Sequence, residues 1–220
     1  MNLPKLLTLT LLCSLALFAS GYPKPRSFTH AQKIFKQMDL DYTRTAFSND
    51  EYMYDPTTCL NKLYLKKDHN KSVVFVRIVP ETLVAKGREC YTQPICTNMS
   101  GQKHKGLSCC RKADKNYKKY ERDIFNIMPI VEGREYFNVE PPLHIRGNIA
   151  RVYLYMNKYY HLNLDDKQLQ KYELWHQQDS VDEKECVMHE RIFKVQGRSN
   201  PWIKSSCETL ESKDSKSSQE

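Results

Sequence analysis

The chain has 220 residues, with 34 Lys and Arg against 26 Asp and Glu and a formal net charge of +8. That length fits one ordinary domain with a core of adequate size. Beyond the first residues, no apolar run approaches the roughly 20 needed to cross a bilayer as a helix.

The start of the chain reads as a signal peptide, residues 1–21. Lys5 precedes an almost uninterrupted apolar run, Leu6 to Phe18, and Ala19-Ser20-Gly21 supplies small residues where a signal peptidase reads. Cleavage is expected after Gly21, giving a soluble chain that is secreted or periplasmic. Removing Lys5 with the leader leaves 33 basic against 26 acidic residues, a net charge of +7. Residues 22–207 should form one domain. From Glu208 onward the Ser, Lys, Glu and Asp composition reads as a disordered tail, 208–220.

A Pro-containing linker, Tyr22 to Arg26, leads to a short helix that Ser27 can cap, with Ile34, Phe35 and Met38 on one face. Asp39 to Thr58 is polar and turn-rich, so irregular structure is expected there. Leu60–Tyr64 and Ser72–Val79 read as two strands of a hairpin joined by the polar turn Lys66 to Lys71. Residues 88–113 carry Gly101, Gly106 and four cysteines with little periodicity, which predicts a disulfide-pinned loop. A helix is expected from Asp114 to Met128, stopped by Pro129. The second half is helical in pattern. Gly147 precedes a helix whose Ile149, Val152, Tyr153 and Met156 share a face, and Asp165 or Asp166 caps the next. Ser180 caps a third, in which Cys186, Ile192 and Val195 point inward and which Gly197 ends.

In an exported chain, disulfides are the default for cysteine. Without Cys13, seven remain: Cys59, Cys90, Cys96, Cys109, Cys110, Cys186 and Cys207. Seven is odd, so at least one is free, paired to another molecule or a metal ligand. A zinc site drawn from Cys90, Cys96, His104, Cys109 and Cys110 lacks any C-x2-C spacing. His189-Glu190 is not a zinc-protease motif, because Phe193 stands where the second histidine belongs. The basic charge is uneven: Lys103 to Arg122 contains eight Lys or Arg, with Tyr117 and Tyr120 among them. Such a block suits a polyanion, with rings that can stack on bases; the alternative is a solvated lysine-rich face.

Several separated motifs resemble the secreted and periplasmic endonuclease I family. RGNIARVYLYM (146–156), KECVMHERI (184–192) and KVQGRSNPW (194–202) look like its C-terminal half, with Glu140-Pro141-Pro142 and RDIFNIMP (122–129) in the right order before them. The resemblance implies an α+β fold, a mainly helical domain around a ββα-metal (His-Me finger-like) hairpin-helix core. It also implies magnesium-dependent cutting of DNA or RNA with little sequence preference. In the family a Glu-His pair precedes Val-Val-Pro on the hairpin, and the helix carries Asp-x-His-Asn-Leu. The His takes a proton from the attacking water, while the Glu and Asn hold the metal.

Laid onto this chain, the metal-ligand Glu falls on Val76 and the general-base His on Arg77, just before Ile78-Val79-Pro80. Asn126 keeps the ligand position, and Phe125 stands in place of the helix His. Valine offers no oxygen to a hard cation, and arginine cannot act as a base. The segment 130–140 is also short for the family. The expectation is an exported relative that binds a DNA or RNA backbone, or another polyanion, with little or no cleavage. It would use Arg77, Lys103, Lys105, Arg111, Lys112, Lys118, Lys119 and Arg122, with no catalytic pair intact and no cofactor. Two alternatives stay open. One is an active magnesium-dependent endonuclease that recruits Glu81, Glu121 or Asp123 beside Asn126; the other is a secreted module that binds a protein partner.

Overall fold

The computed structural model describes residues 22–39, 43–54, 62–133 and 140–217. Outside them lie the expected signal peptide with Cys13, the start of the first predicted strand at Leu60, Cys59, residues 134–139 of the short segment, and residues 218–220. The first helix, α1 (Phe28–Met38), starts where the sequence places it, with Ser27 Oγ accepting the His30 N–H at 3.1 Å. Ala31, Ile34, Phe35 and Met38 are buried at helical spacing.

Four antiparallel strands follow in the order β1-β2-β3-β6. The first, β1 (Tyr52–Tyr54), lies inside the stretch expected to be irregular, where three consecutive Tyr-Met-Tyr side chains pair with β2 (Leu63–Leu65). The β2–β3 turn is Lys66-Lys67 alone, narrower than the polar run suggested, and β3 (Asp68–Arg77) begins at Asp68. This long strand serves two partners: its first half pairs with β2 and its second half with β6 (Ile127–Val131), in the register Val73↔Val131 to Arg77↔Ile127.

The predicted helix to Met128 is therefore corrected. A helix α5 (Lys115–Glu121) ends early, a 3-10 turn covers Ile124–Asn126, and the chain enters β6. All five β6 residues are buried, and a short continuous apolar run is a buried strand as readily as a helix end. Pro129 is tolerated because its carbonyl faces away from β3 and accepts the Ala46 N–H at 2.9 Å. Its missing N–H lies on that same outward side and costs no ladder bond.

The cysteine-rich segment is pinned as expected but is not a loop. It comprises α2 (Glu81–Ala85), α3 (Glu89–Thr92), a small hairpin of β4 (Cys96–Thr97) and β5 (Lys103–His104), and α4 (Leu107–Ala113). Disulfides Cys90–Cys110 and Cys96–Cys109 tie these pieces together, so the four cysteines of the zinc alternative are oxidised to one another. The third bridge, Cys186–Cys207, joins two C-terminal helices.

The C-terminal half consists of α6 (Leu143–Tyr160), α7 (Asp166–Gln178), α8 (Glu183–Gln196) and α9 (Pro201–Ser217), the last two being the bridged pair. Gly147 does not precede α6 but sits within it, because a Cβ there would stand 2.3 Å from the Asp179 carbonyl oxygen at the end of α7. Asp165 and Gln168 form a capping box on α7. The cap of α8 is Asp182, not Ser180, since its carboxylate reaches the Glu185 N–H at 2.7 Å. The tail expected to be disordered continues α9 to Ser217: the disulfide fixes its early turns, and helix propagation is easier than nucleation. Among the described residues no helix is long and apolar enough to cross a membrane.

Asp39 closes α1 and is fully buried, accepting from the Tyr52 hydroxyl with Lys184 Nζ 3.6 Å away. Burial outweighs these partners and pushes its carboxyl from 3.8 up to about 6. The folded chain thus holds this proton to higher pH than the unfolded chain. Its contribution to stability is complete below about pH 4 and is lost as pH rises through about 6, by up to about 3 kcal/mol. Urea melts between pH 4 and 7 should show this fall, and Asp39→Asn, which cannot ionise, should flatten it.

Candidate functional site

The end of β3 and the turn before β6 meet through one side chain. Asn126 is buried, its Oδ1 accepts the Val79 N–H at 2.7 Å, and its Nδ2 donates to the Val79 carbonyl at 3.0 Å. The Tyr120 hydroxyl donates to that same carbonyl at 2.9 Å, and the Ile78 N–H donates to the Asn126 carbonyl at 3.1 Å. Both polar atoms of the amide are thus engaged by the backbone of Val79.

Strand alternation puts neighbouring side chains on opposite faces, so Val76 and Arg77 diverge. Val76 packs against the core from the face it shares with Val74. Arg77 shares the face of Val73 and Phe75, and its guanidinium lies 3.6 Å from the centre of the Phe28 ring at the start of α1. Its Nη1 pairs at 2.5 Å with Glu81, the first residue of α2 and four positions on. Arg77 Nε is buried and has no hydrogen-bond partner among the described residues. Glu81 also pairs with Arg111, whose Nε reaches Glu121 at 2.6 Å, so two carboxylates and two guanidinium groups form one chain.

Above this chain opens a cleft of about 760 Å³. Arg77, Arg111, Lys118, Lys119 and Arg122 line it, as do Arg26, Phe28 and Lys115, which the sequence reading did not nominate. The cleft carries seven Lys or Arg and two carboxylates, Glu81 and Glu121. Lys115 belongs to the basic window Lys103 to Arg122, whereas Arg26 lies in the segment before α1, and only the docking of α1 over Arg77 brings it here. Three nominated residues do not line the cleft. Lys103 and Lys105 sit at the β4–β5 hairpin, where Lys105 Nζ donates to the Thr92 carbonyl at 3.1 Å, and Lys112 contributes its carbonyl to Lys118 Nζ at 2.7 Å.

The three carboxylates considered as substitute ligands are all engaged. Glu81 and Glu121 hold arginines, while Asp123 points into the helical half. Its Oδ2 accepts from the Tyr155 and Tyr160 hydroxyls, each at 2.7 Å, and its Oδ1 accepts from Gln196 at 3.0 Å and the Phe125 N–H at 3.1 Å. Burial raises its pKa, and these four donors act against that rise. Among the described residues, no three His, Cys, Asp or Glu side chains converge as a metal-binding group.

Comparison with known proteins gives this site a context. A family model described as Endonuclease I matches residues 31–207. Endonuclease-1 of Buchnera aphidicola subsp. Baizongia pistaciae (strain Bp) is 22% identical over 220 aligned residues, covering 83% of this chain and 85% of that protein. An extracellular deoxyribonuclease of Aeromonas hydrophila is 45% identical over 71 residues, covering 32% of this chain and 31% of that protein. A periplasmic deoxyribonuclease of the same organism is 44% identical over 71 residues, covering 32% of this chain and 30% of its own length. The chain therefore spans about a third of the length of the two Aeromonas enzymes.

A structural role for Asp123 has a direct test. Asp123→Ala would leave two tyrosine hydroxyls, an amide and a backbone N–H without their acceptor. Urea melts in the presence of a chelator should then show a loss of about 3 kcal/mol. A residue present only to hold a metal would leave stability without metal unchanged.

Proposed function

Because the chain belongs to the endonuclease I family, we propose that its basic cleft binds the backbone of DNA or RNA without sequence preference and with little or no cleavage. The observation that carries this reading is the identity and setting of Arg77. It stands at the cleft floor, in the position that the family resemblance gives to the general base, with six further Lys or Arg lining the cleft around it. A guanidinium suits phosphate through paired hydrogen bonds, and it is never deprotonated in a protein. Loss of a general base alone costs roughly 10²- to 10⁴-fold in rate.

The residues here do not fit a magnesium ion. A hard cation takes oxygen ligands, whereas Val76 offers hydrocarbon, Arg77 repels a cation, and Asn126 has both amide atoms on the Val79 backbone. The substitute ligands are held elsewhere: Glu81 and Glu121 by arginines, Asp123 by tyrosines and Gln196. No step of the family chemistry is therefore derived for this site. The relatives named extracellular and periplasmic deoxyribonuclease argue for a chain that works outside the cytoplasm, and three disulfides suit an oxidising compartment.

Two measurements test the proposal. Anisotropy titrations with a labelled duplex of about 20 base pairs should give binding that weakens with salt, with a log–log slope of about −4.5 for roughly five neutralised phosphates. Lys118→Gln should lower affinity at about 50 mM salt and make the slope shallower by close to 0.9. Plasmid nicking with magnesium should be absent in the wild type beside a Val76→Glu, Arg77→His double variant. Salt-independent binding, or wild-type nicking abolished by EDTA, would overturn the reading.

A further inference from the structure

Next to the main cleft lies a smaller one of about 280 Å³, at the seam between the N-terminal segment and the helical half. Lys119 and Arg122, at the end of α5, line both. The opposite wall is shared in the same way: Lys24 lines the smaller cleft and Arg26 the larger, while Pro25 between them is buried. Lys24 and Arg26 flank that buried proline, so this short stretch supplies one cation to each cleft from an anchored position. The two clefts are therefore one cationic surface with two depressions.

At the far side of the smaller cleft stands Arg198, held in place by aromatic groups. Its Nη1 donates to the Tyr160 hydroxyl at 2.8 Å and lies 3.9 Å from Asp123 Oδ2, and its guanidinium lies 4.7 Å from the centre of the Tyr159 ring. Its side chain is still 31% exposed, so it is oriented and reachable at once. A guanidinium fixed in advance loses less freedom on binding an anion than a free lysine does. The one carboxylate lining this cleft, Asp123, is turned inward and covered by Tyr155, Tyr160 and Gln196. Asp123 offsets part of the Arg198 charge from 3.9 Å, and Lys24, Lys119 and Arg122 add three further cations to the lining.

We infer that the smaller cleft is a second phosphate subsite, which takes a backbone phosphate from the same polynucleotide strand that occupies the main cleft. The inference rests on the binding function proposed above and adds a length requirement to it. A strand must be long enough to reach from Arg77 across Lys119 and Arg122 to Arg198 before the second subsite adds affinity.

Labelled oligo(dT) of three and of twelve nucleotides, titrated at about 50 mM salt, tests this. Arg198→Gln should weaken binding of the twelve-mer by about three- to tenfold and make its salt slope shallower by about 0.7, with the trimer unaffected. Lys24→Gln should have the same length-selective effect, and because Lys24 is an exposed side chain it guards against a folding defect in the arginine variant. If neither substitution changes twelve-mer binding while Lys118→Gln weakens both lengths, the second subsite is wrong and the main cleft stands. If the wild type binds neither oligonucleotide, the subsite and the proposed function fall together.

Discussion

The site depends on the pair of hydrogen bonds between the Asn126 amide and the backbone of Val79. Where β3 ends, the chain must leave the sheet without stranding buried backbone groups, each of which would cost about 1–3 kcal/mol unpaired. One asparagine satisfies both groups of Val79, and Tyr120 adds a second donor to the carbonyl. Pro80 then caps α2, which places Glu81 four residues after Arg77 and within reach of it. The positions of Arg77, Glu81 and, through Glu81, Arg111 all follow from how the chain turns at Val79.

The other end of the 3-10 turn is fixed with equal force. Asp123 accepts from two tyrosines of α6 and from Gln196 of α8, so the sheet half and the helical half meet at a buried carboxylate. Between these anchors, α5 presents Lys118 and Lys119 in its last turn, with Arg122 as its cap. Concentrating cations in this way costs self-repulsion in the folded state. Glu81, Glu121 and the Phe28 ring offset part of it by engaging Arg77 and Arg111, the two guanidinium groups nearest the floor. Among the described residues no carboxylate pairs with Lys115, Lys118 or Lys119, whose charges are screened mainly by salt, over about 8 Å at physiological strength.

What the sequence reveals and conceals follows from the range of the interactions involved. Ser27, Asp165 and Gly197 act within one helical turn, and all three end or begin helices as their local chemistry dictates. The strand through VVFV was legible from its apolar run, but its partner was not, because Val73 to Arg77 pair with β6 and only the earlier part of β3 pairs with β2. The run IMPIV was not legible as a strand, because five consecutive buried residues carry no period, and only pairing with Val73 to Arg77 makes them one. Asp182 replaces Ser180 as a cap because both are good caps and the packing of α8 decides between them. Of the site, the basic stretch of α4 and α5 and the unusual Arg77 could be read in order along the chain. Arg26 and Arg198 could not: about 170 residues separate them, and they join one surface only when α1 and the end of α8 dock on either side of α5.

On the proposed reading, the exchange of residues at the floor alters chemistry more than charge. In the arrangement implied by the family resemblance, a divalent cation and one carboxylate leave a single net positive charge beside the phosphate. Valine and arginine also supply one positive charge, part of which the Glu81 carboxylate offsets. The attraction for a phosphate oxygen then comes from Arg77 together with the lysines around the cleft. What differs is the kind of contact. A guanidinium donates hydrogen bonds in a fixed plane but has no lone pair with which to accept a proton from water. Here its Nη1 is also held by Glu81, which sets its orientation and takes up one of its donors. A site with that composition retains the forces that gather a polyanion and lacks the group that would activate a nucleophile, so affinity can persist after turnover has gone.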